Sequence, residues 1–136
     1  MTTRCAEPSD AEAVIALMAG LGRPAVTEGD DQAAVFRAHL EHPDGEIFVA
    51  ELEGTIAGAV SLWFRPRLNW TRPEAWVPDL YVNPAFRRRD ACVEAARERG
   101  CHRLVLESGH ERAEAHQLYV DYGFTDGGRV YGIRFE

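Results

Sequence analysis

The stretch "EIFVAELEGTIAGAVSLWF", residues 46–64, constrains the fold more than any other part of the chain. Two runs rich in β-branched and aromatic residues flank Glu53-Gly54, an acidic-Gly pair suited to a tight hairpin turn. Such a hairpin commits the middle of the chain to an antiparallel sheet. A third strand, "EAWVPDLYV" at residues 74–82, follows an Arg/Pro-rich connection. Pro78 takes a ladder donor out of what should be a central strand, which fits a local bulge or splay and equally a strand edge.

Helical spacing appears on both sides of this meander. "TTRCAEPSD" predicts a first strand stopping at Pro8, and Ser9 with Glu12 forms a candidate capping box. Val14, Leu17, Met18 and Leu21 then recur at helical spacing, with Gly20 and Gly22 as stops. Thr27 is the expected cap of a second helix, with Val35, Phe36 and Leu40 on one side, before Pro43-Asp44-Gly45 turns the chain. Beyond the meander, residues 90–100 predict a helix and "CHRLVLES" a buried strand. "ERAEAHQLYVDYGF" predicts a helix stopped by Gly123, and "RVYGIRFE" a closing strand. The order β-α-α-β-β-β-α-β-α-β predicts a mixed α/β sandwich, an antiparallel meander followed by a right-handed β-α-β crossover. At 136 residues the chain is expected to form one domain, 1–136, with a sizeable core.

Composition removes several functional classes. The apolar runs fall far short of the roughly 18 to 20 residues a membrane span needs. Glu7, Asp10 and Glu12 stand where a secretory signal would be basic and then apolar, so a cytoplasmic location is expected. The formal net charge is −7, and every basic side chain apart from histidine is arginine. That balance disfavours nucleic acid as a partner and mildly favours a cationic small substrate. The lack of lysine removes Schiff-base and P-loop chemistry. Cys5, Cys92 and Cys101 have no metal-like spacing and read as reduced structural thiols. In "HERAEAH" the two histidines, His110 and His116, are six apart and face opposite ways on a helix, so no metal is expected.

The segment "YVNPAFRRRD" is the clearest candidate for ligand chemistry. Arg87, Arg88 and Arg89 stand directly before a predicted helix, where they repel one another and the positive end of its dipole. A bound polyanion relieves that repulsion; the alternative is three solvated arginines with Asp90 as a simple cap. Together with the element order, "DLYVNPAFRRR" and "ERAEAHQLYVDYGF" resemble the GNAT superfamily of acyl-CoA N-acyltransferases. The resemblance runs over nearly the whole chain. Its helix motif is present as Ala115, Leu118, Tyr119, Gly123 and Phe124, with Arg112 at a place often held by Asn. Its strand motif runs true through Val82, Pro84 and Arg87, then breaks after Arg89, where glycines usually follow. Either the phosphate cradle is shortened here or the sequence leaves out a stretch of loop; the crossover is long enough to close in both cases.

The resemblance implies a central, mostly antiparallel sheet whose fourth and fifth strands splay apart. It also implies an acetyl-CoA-dependent N-acetyltransferase acting by direct attack of a primary amine in a ternary complex. Pantetheine would pair with the backbone of Leu80, Tyr81 and Val82, and the phosphates would sit at Arg87, Arg88 and Arg89. Tyr119 would protonate the departing thiolate, a role that suits a phenol holding its proton at neutral pH. Asp79 is the first candidate for general base, with Glu74 and Glu107 behind it, and a structural role for Asp79 is as well supported. The expected partners are acetyl-CoA and an amine acceptor, a small molecule ahead of a protein, with a homodimer as default. Loss of the glycines would instead favour a catalytically silent GNAT-like binding or dimerisation module. Trp63 and Trp76 are expected to pack inward, and Trp70 to line an acceptor pocket, a dimer contact or plain surface.

Overall fold

The computed structural model describes residues 2–20, 31–78, 80–82 and 90–106, with 120, 123–125, 132, 133 and 135. They fall in two compact units, Met1–Val105 and Leu106–Glu136. In the first unit, β1 (Thr2–Cys5) leads through a short 3₁₀ turn (Pro8–Asp10) into α1 (Ala11–Gly20) and α2 (Gln32–Glu41). β2 (Gly45–Leu52), β3 (Thr55–Arg65), β4 (Glu74–Val77), β5 (Leu80–Val82) and α3 (Asp90–Glu98) follow, then β6 (Arg103–Leu106).

The expected hairpin is present. β2 and β3 pair antiparallel from Gly45–Trp63 to Leu52–Thr55. Glu53 and Gly54 take φ of 50° and 80°, the two positive values that let a two-residue turn match the twist of its strands. Sheet neighbours run β1-β2-β3-β4-β6, and β5 pairs with β3. Strand alternation then sorts the side chains into two layers. On one face Val14 of α1 and Phe36 of α2 form a core with Ile47, Val49 and Ala59. On the other lie the buried Leu62, Phe64, Ala75 and Val77, with Cys92, Ala95 and Ala96 contributed by α3. Arg99 closes that side: its guanidinium lies 4.3 Å from the Phe64 ring and donates to the Pro43 carbonyl at 3.0 Å.

Three local expectations need correction. Ser9 sits inside the 3₁₀ turn, so it does not cap α1; the Glu7 N–H instead donates to Asp10 at 2.7 Å. Arg4 grips the same carboxylate at 2.8 and 3.0 Å, tying β1 to the start of α1 and holding the Asp10 carboxyl below its usual value. The second helix is capped by Asp31, which accepts from the Ala34 N–H at 3.0 Å, while Thr27 lies outside the described residues. Within α2, Val35 is 63% exposed. The buried stripe is Phe36 and His39, with Leu40 packed at its edge.

His39 is buried with its Nε2 paired and one ring face covered. Nε2 lies 2.9 Å from the Leu62 carbonyl, and the ring stacks on Trp63 with centroids 4.0 Å apart. Gly45 is the residue that leaves room for it. A Cβ there would stand 2.6 Å from His39 Cδ2 and 2.9 Å from the His39 carbonyl oxygen, and the backbone oxygen cannot swing aside. Gly45→Ala should therefore destabilise the protein by roughly 1 to 3 kcal/mol, the usual cost of overpacking, read from its urea midpoint. A loss under about 0.5 kcal/mol would show slack around His39.

The second unit is described at a few positions. Gly123 takes φ 107° and its N–H donates to the Val120 carbonyl at 3.0 Å, the geometry of a helix-ending turn at the predicted stop. Most of the predicted 111–124 helix and of the closing strand lies outside the described residues, and Gly132, Ile133 and Phe135 belong to no strand.

Candidate active site

The predicted strand 74–82 is broken, and the break is a bulge. Trp76 pairs with Trp63, and Leu80 pairs with Val60. Between those two pairs β3 advances three residues and its partner strand four, so one extra residue lies between Trp76 and Leu80. Pro78 stands in that interval, where its missing N–H leaves no gap in a ladder. The bulge separates two strand neighbourhoods. β4 lies between β3 and β6, whereas β3 is the strand partner of β5 among the described residues. A strand that leaves its second neighbour in this way offers backbone N–H and C=O groups to an extended ligand.

Of the residues singled out from the sequence, Leu80, Tyr81 and Val82 form β5, opposite Val60, Ala59 and Gly58. Asp79, Arg87, Arg88, Arg89, Glu107 and Tyr119 lie outside the described residues. Beside β5's partner, an apolar cleft of about 90 Å³ opens between α1, α2 and β3, lined by Val14, Met18, Phe36, His39, Ala59 and Ser61 among others. Ala59 and Val60 belong both to that lining and to the β5 pairing, so the cleft and the strand edge share one piece of backbone. The sequence carried a signal for His39 in this lining: it stands three residues after Phe36, on the same helical side.

Glu74 was a lesser candidate for general base, and its surroundings argue against that role. Its side chain is fully buried, with Arg65 Nε at 2.8 Å, Arg103 Nε at 2.6 Å and Arg67 at 3.2 Å. Burial alone would push its carboxyl up, but the hydrogen bonds from Arg65, Arg103 and Arg67 together outweigh burial and hold it at about 2. A carboxylate so strongly held takes up no proton near neutrality. Cys101 likewise fits packing rather than attack, since burial pushes its thiol up. Trp63 sits against His39 and, edge-on at 5.0 Å, His42; Trp76 lies under Arg65 at 4.6 Å; Trp70 stacks on His102 at 4.2 Å and stays 52% exposed. Among the described residues no three His, Cys, Asp or Glu side chains gather as a metal site.

The sequence profile of the acetyltransferase (GNAT) family matches residues 14–124, which takes in α1 from Val14 onward, α2, the bulged strand and the predicted motif helix. The chain belongs to the GNAT acetyltransferase family. Solved GNAT structures share its fold. A protein assigned as an acetyltransferase from Agrobacterium tumefaciens strain C58 is 27% identical, with a TM-score of 0.82 over 98% of this chain and 99% of that one. The aminoglycoside N-acetyltransferase AAC(6')-Iy in complex with CoA is 20% identical, with a TM-score of 0.83 over 98% and 93% of the two chains. A ribosomal-protein-alanine N-acetyltransferase from Brucella melitensis biovar Abortus 2308 is 23% identical, with a TM-score of 0.77 over 99% and 97%. No curated protein sequence matches the chain. GNAT membership makes acyl transfer the class of chemistry, and no helix among the described residues is long and apolar enough to cross a membrane.

Proposed function

We propose that this GNAT protein is a cytoplasmic N-acetyltransferase that acts as one domain over residues 1–136 and moves an acetyl group from acetyl-CoA to a primary amine. The observation that carries the proposal is the bulge at Pro78, which sets β5 apart as a strand paired to β3. The pantetheine arm runs along Leu80, Tyr81 and Val82 as an added strand, and a backbone N–H there polarises the acyl carbonyl. Arg87, Arg88 and Arg89 hold the phosphates. In a ternary complex the amine nitrogen bonds to the acyl carbon as the carbon–sulfur bond breaks. The amine's proton goes to Asp79, directly or through water, and Tyr119 gives its proton to the departing sulfur. AAC(6')-Iy, solved with CoA, supports the choice of cosubstrate. The apolar cleft beside β3 favours a compact amine with an uncharged body over a polycation, because no carboxylate lines it among the described residues.

The test is a melting scan with acetyl-CoA. At a hundredfold excess over Kd the fold should gain about 2.7 kcal/mol, a shift of several degrees. No shift at millimolar acetyl-CoA would sink the enzyme and leave a silent GNAT-like module, the outcome that the missing glycines after Arg89 favour.

A further inference from the structure

Far from β5, at the other end of β3, three arginines converge on one carboxylate. Arg65 closes β3, Arg67 follows it, and Arg103 opens β6; each hydrogen-bonds to Glu74, at the start of β4. Val60, the nearest position of the β5 pairing, and Arg65 are five residues apart on one strand, so this cluster lies about 17 Å from that pairing. Among the described residues one carboxylate faces three guanidiniums, which leaves two positive charges there, in a chain whose formal net charge is −7. Geometry leaves donors over as well. Arg65 and Arg103 each reach Glu74 through Nε alone, at 2.8 and 2.6 Å, so neither spends its two-pronged terminal edge on that carboxylate. Arg67 makes the longest contacts, 3.2 and 3.4 Å from a single nitrogen. The three side chains are 39%, 38% and 50% exposed, so those edges reach solvent.

The scaffold under the cluster is fixed before any ligand arrives. The Trp70 N–H donates to the Arg67 carbonyl at 3.2 Å, and the His102 N–H to the Pro73 carbonyl at 2.9 Å. The Trp70–His102 stack adds a second tie between the β3–β4 loop and the start of β6. Two buried nitrogens beside the arginines, Trp76 Nε1 and His102 Nε2, have no hydrogen-bond partner among the described residues. Preorganised guanidinium edges around a shared positive excess are suited to fork-like binding of oxygen anions.

We propose that Arg65, Arg67 and Arg103 form a binding site for a small multivalent oxyanion of the phosphate type, separate from the acyl-transfer site and independent of it. Glu74 orients the three guanidiniums from below, and the anion binds their outward edges and offsets the remaining charge.

The experiment is a calorimetric titration of the full-length protein with inorganic phosphate, at ionic strength matched with chloride and with acetyl-CoA at a saturating concentration. Wild-type protein should bind phosphate, and Arg67→Ala should weaken binding about tenfold or more, the loss of one charged hydrogen-bonding arm. Arg67 makes the weakest contacts to Glu74, so its replacement leaves the other two arms in place, and circular dichroism checks that the fold is kept. Joint replacement of Arg87, Arg88 and Arg89 by alanine should leave this binding unchanged. No phosphate binding beyond chloride would overturn the site, as would binding that survives Arg67→Ala or that disappears in the Arg87, Arg88, Arg89 variant.

Discussion

Tyr119→Phe is expected to lower kcat about a hundredfold while leaving acetyl-CoA binding unchanged. The prediction follows from the proposed proton inventory. When the carbon–sulfur bond breaks, sulfur leaves with the electron pair, and a proton delivered in the same step avoids a free thiolate. General acids contribute about 10² to 10⁴ in rate. A phenol near 10 giving its proton to a thiolate whose acid lies near 8.5 is uphill by about 1.5 units. That places the contribution at the lower end of the range. Phenylalanine keeps the ring and its packing, so the acetyl-CoA melting shift should match wild type. Turnover within about twofold of wild type would remove Tyr119 from the mechanism.

Glu74→Gln is expected to cost about 3 kcal/mol at pH 7, near the lower bound for breaking a buried ion pair. The carboxylate is fully buried, but its arginine partners are half in solvent and can turn outward, which limits the loss. The pH dependence identifies the interaction. The carboxyl is held at about 2 in the fold against 4.5 in an exposed chain. Its stabilising contribution is therefore complete above about pH 4.5 and is lost as pH falls toward 2. Wild-type protein should lose stability through that window, and the glutamine variant should show a flatter acid limb there. Equal midpoints at pH 7, or parallel acid limbs, would mean that the three arginines hold Glu74 without the fold depending on it.

The hairpin and the bulge were legible because each has a short-range cause. Glu53-Gly54 sits between two apolar β-rich runs, and Pro78 sits inside a third; both effects act within a few residues. Strand and helix order followed from periodicity over the same short range. The arginine cluster was not legible, since Arg103 is 29 residues from Glu74 and meets it only because β6 lies beside β4. His39 was passed over for a related reason. A histidine is counted polar until a stacked Trp63 and the Leu62 carbonyl occupy its ring, and both partners lie on β3. Conversely, Val35 was assigned to the buried side by type, although the stripe through Phe36 and His39 leaves it exposed. Of the candidate site, the strand at Leu80–Val82 could be read from the β-rich pattern around Pro78, but its role toward a ligand rests on the resemblance. The side-chain part at Asp79, Arg87–Arg89 and Tyr119 rests on the resemblance of its motifs.

The extra residue between Trp76 and Leu80 works as a phase slip. Before it, Glu74 and Trp76 pair with Arg65 and Trp63, on the face that carries His39. After it, Leu80 pairs with Val60 and so falls on the α3 face, although its number has the same parity as theirs. Substitutions in this strand disturb one side chain each. Loss or gain of one residue there would turn every later position over, from Leu80 through Val82, and the strand would present its alternate backbone atoms instead. The length of this short interval thus sets which face every later position of the strand takes, whatever residues fill it.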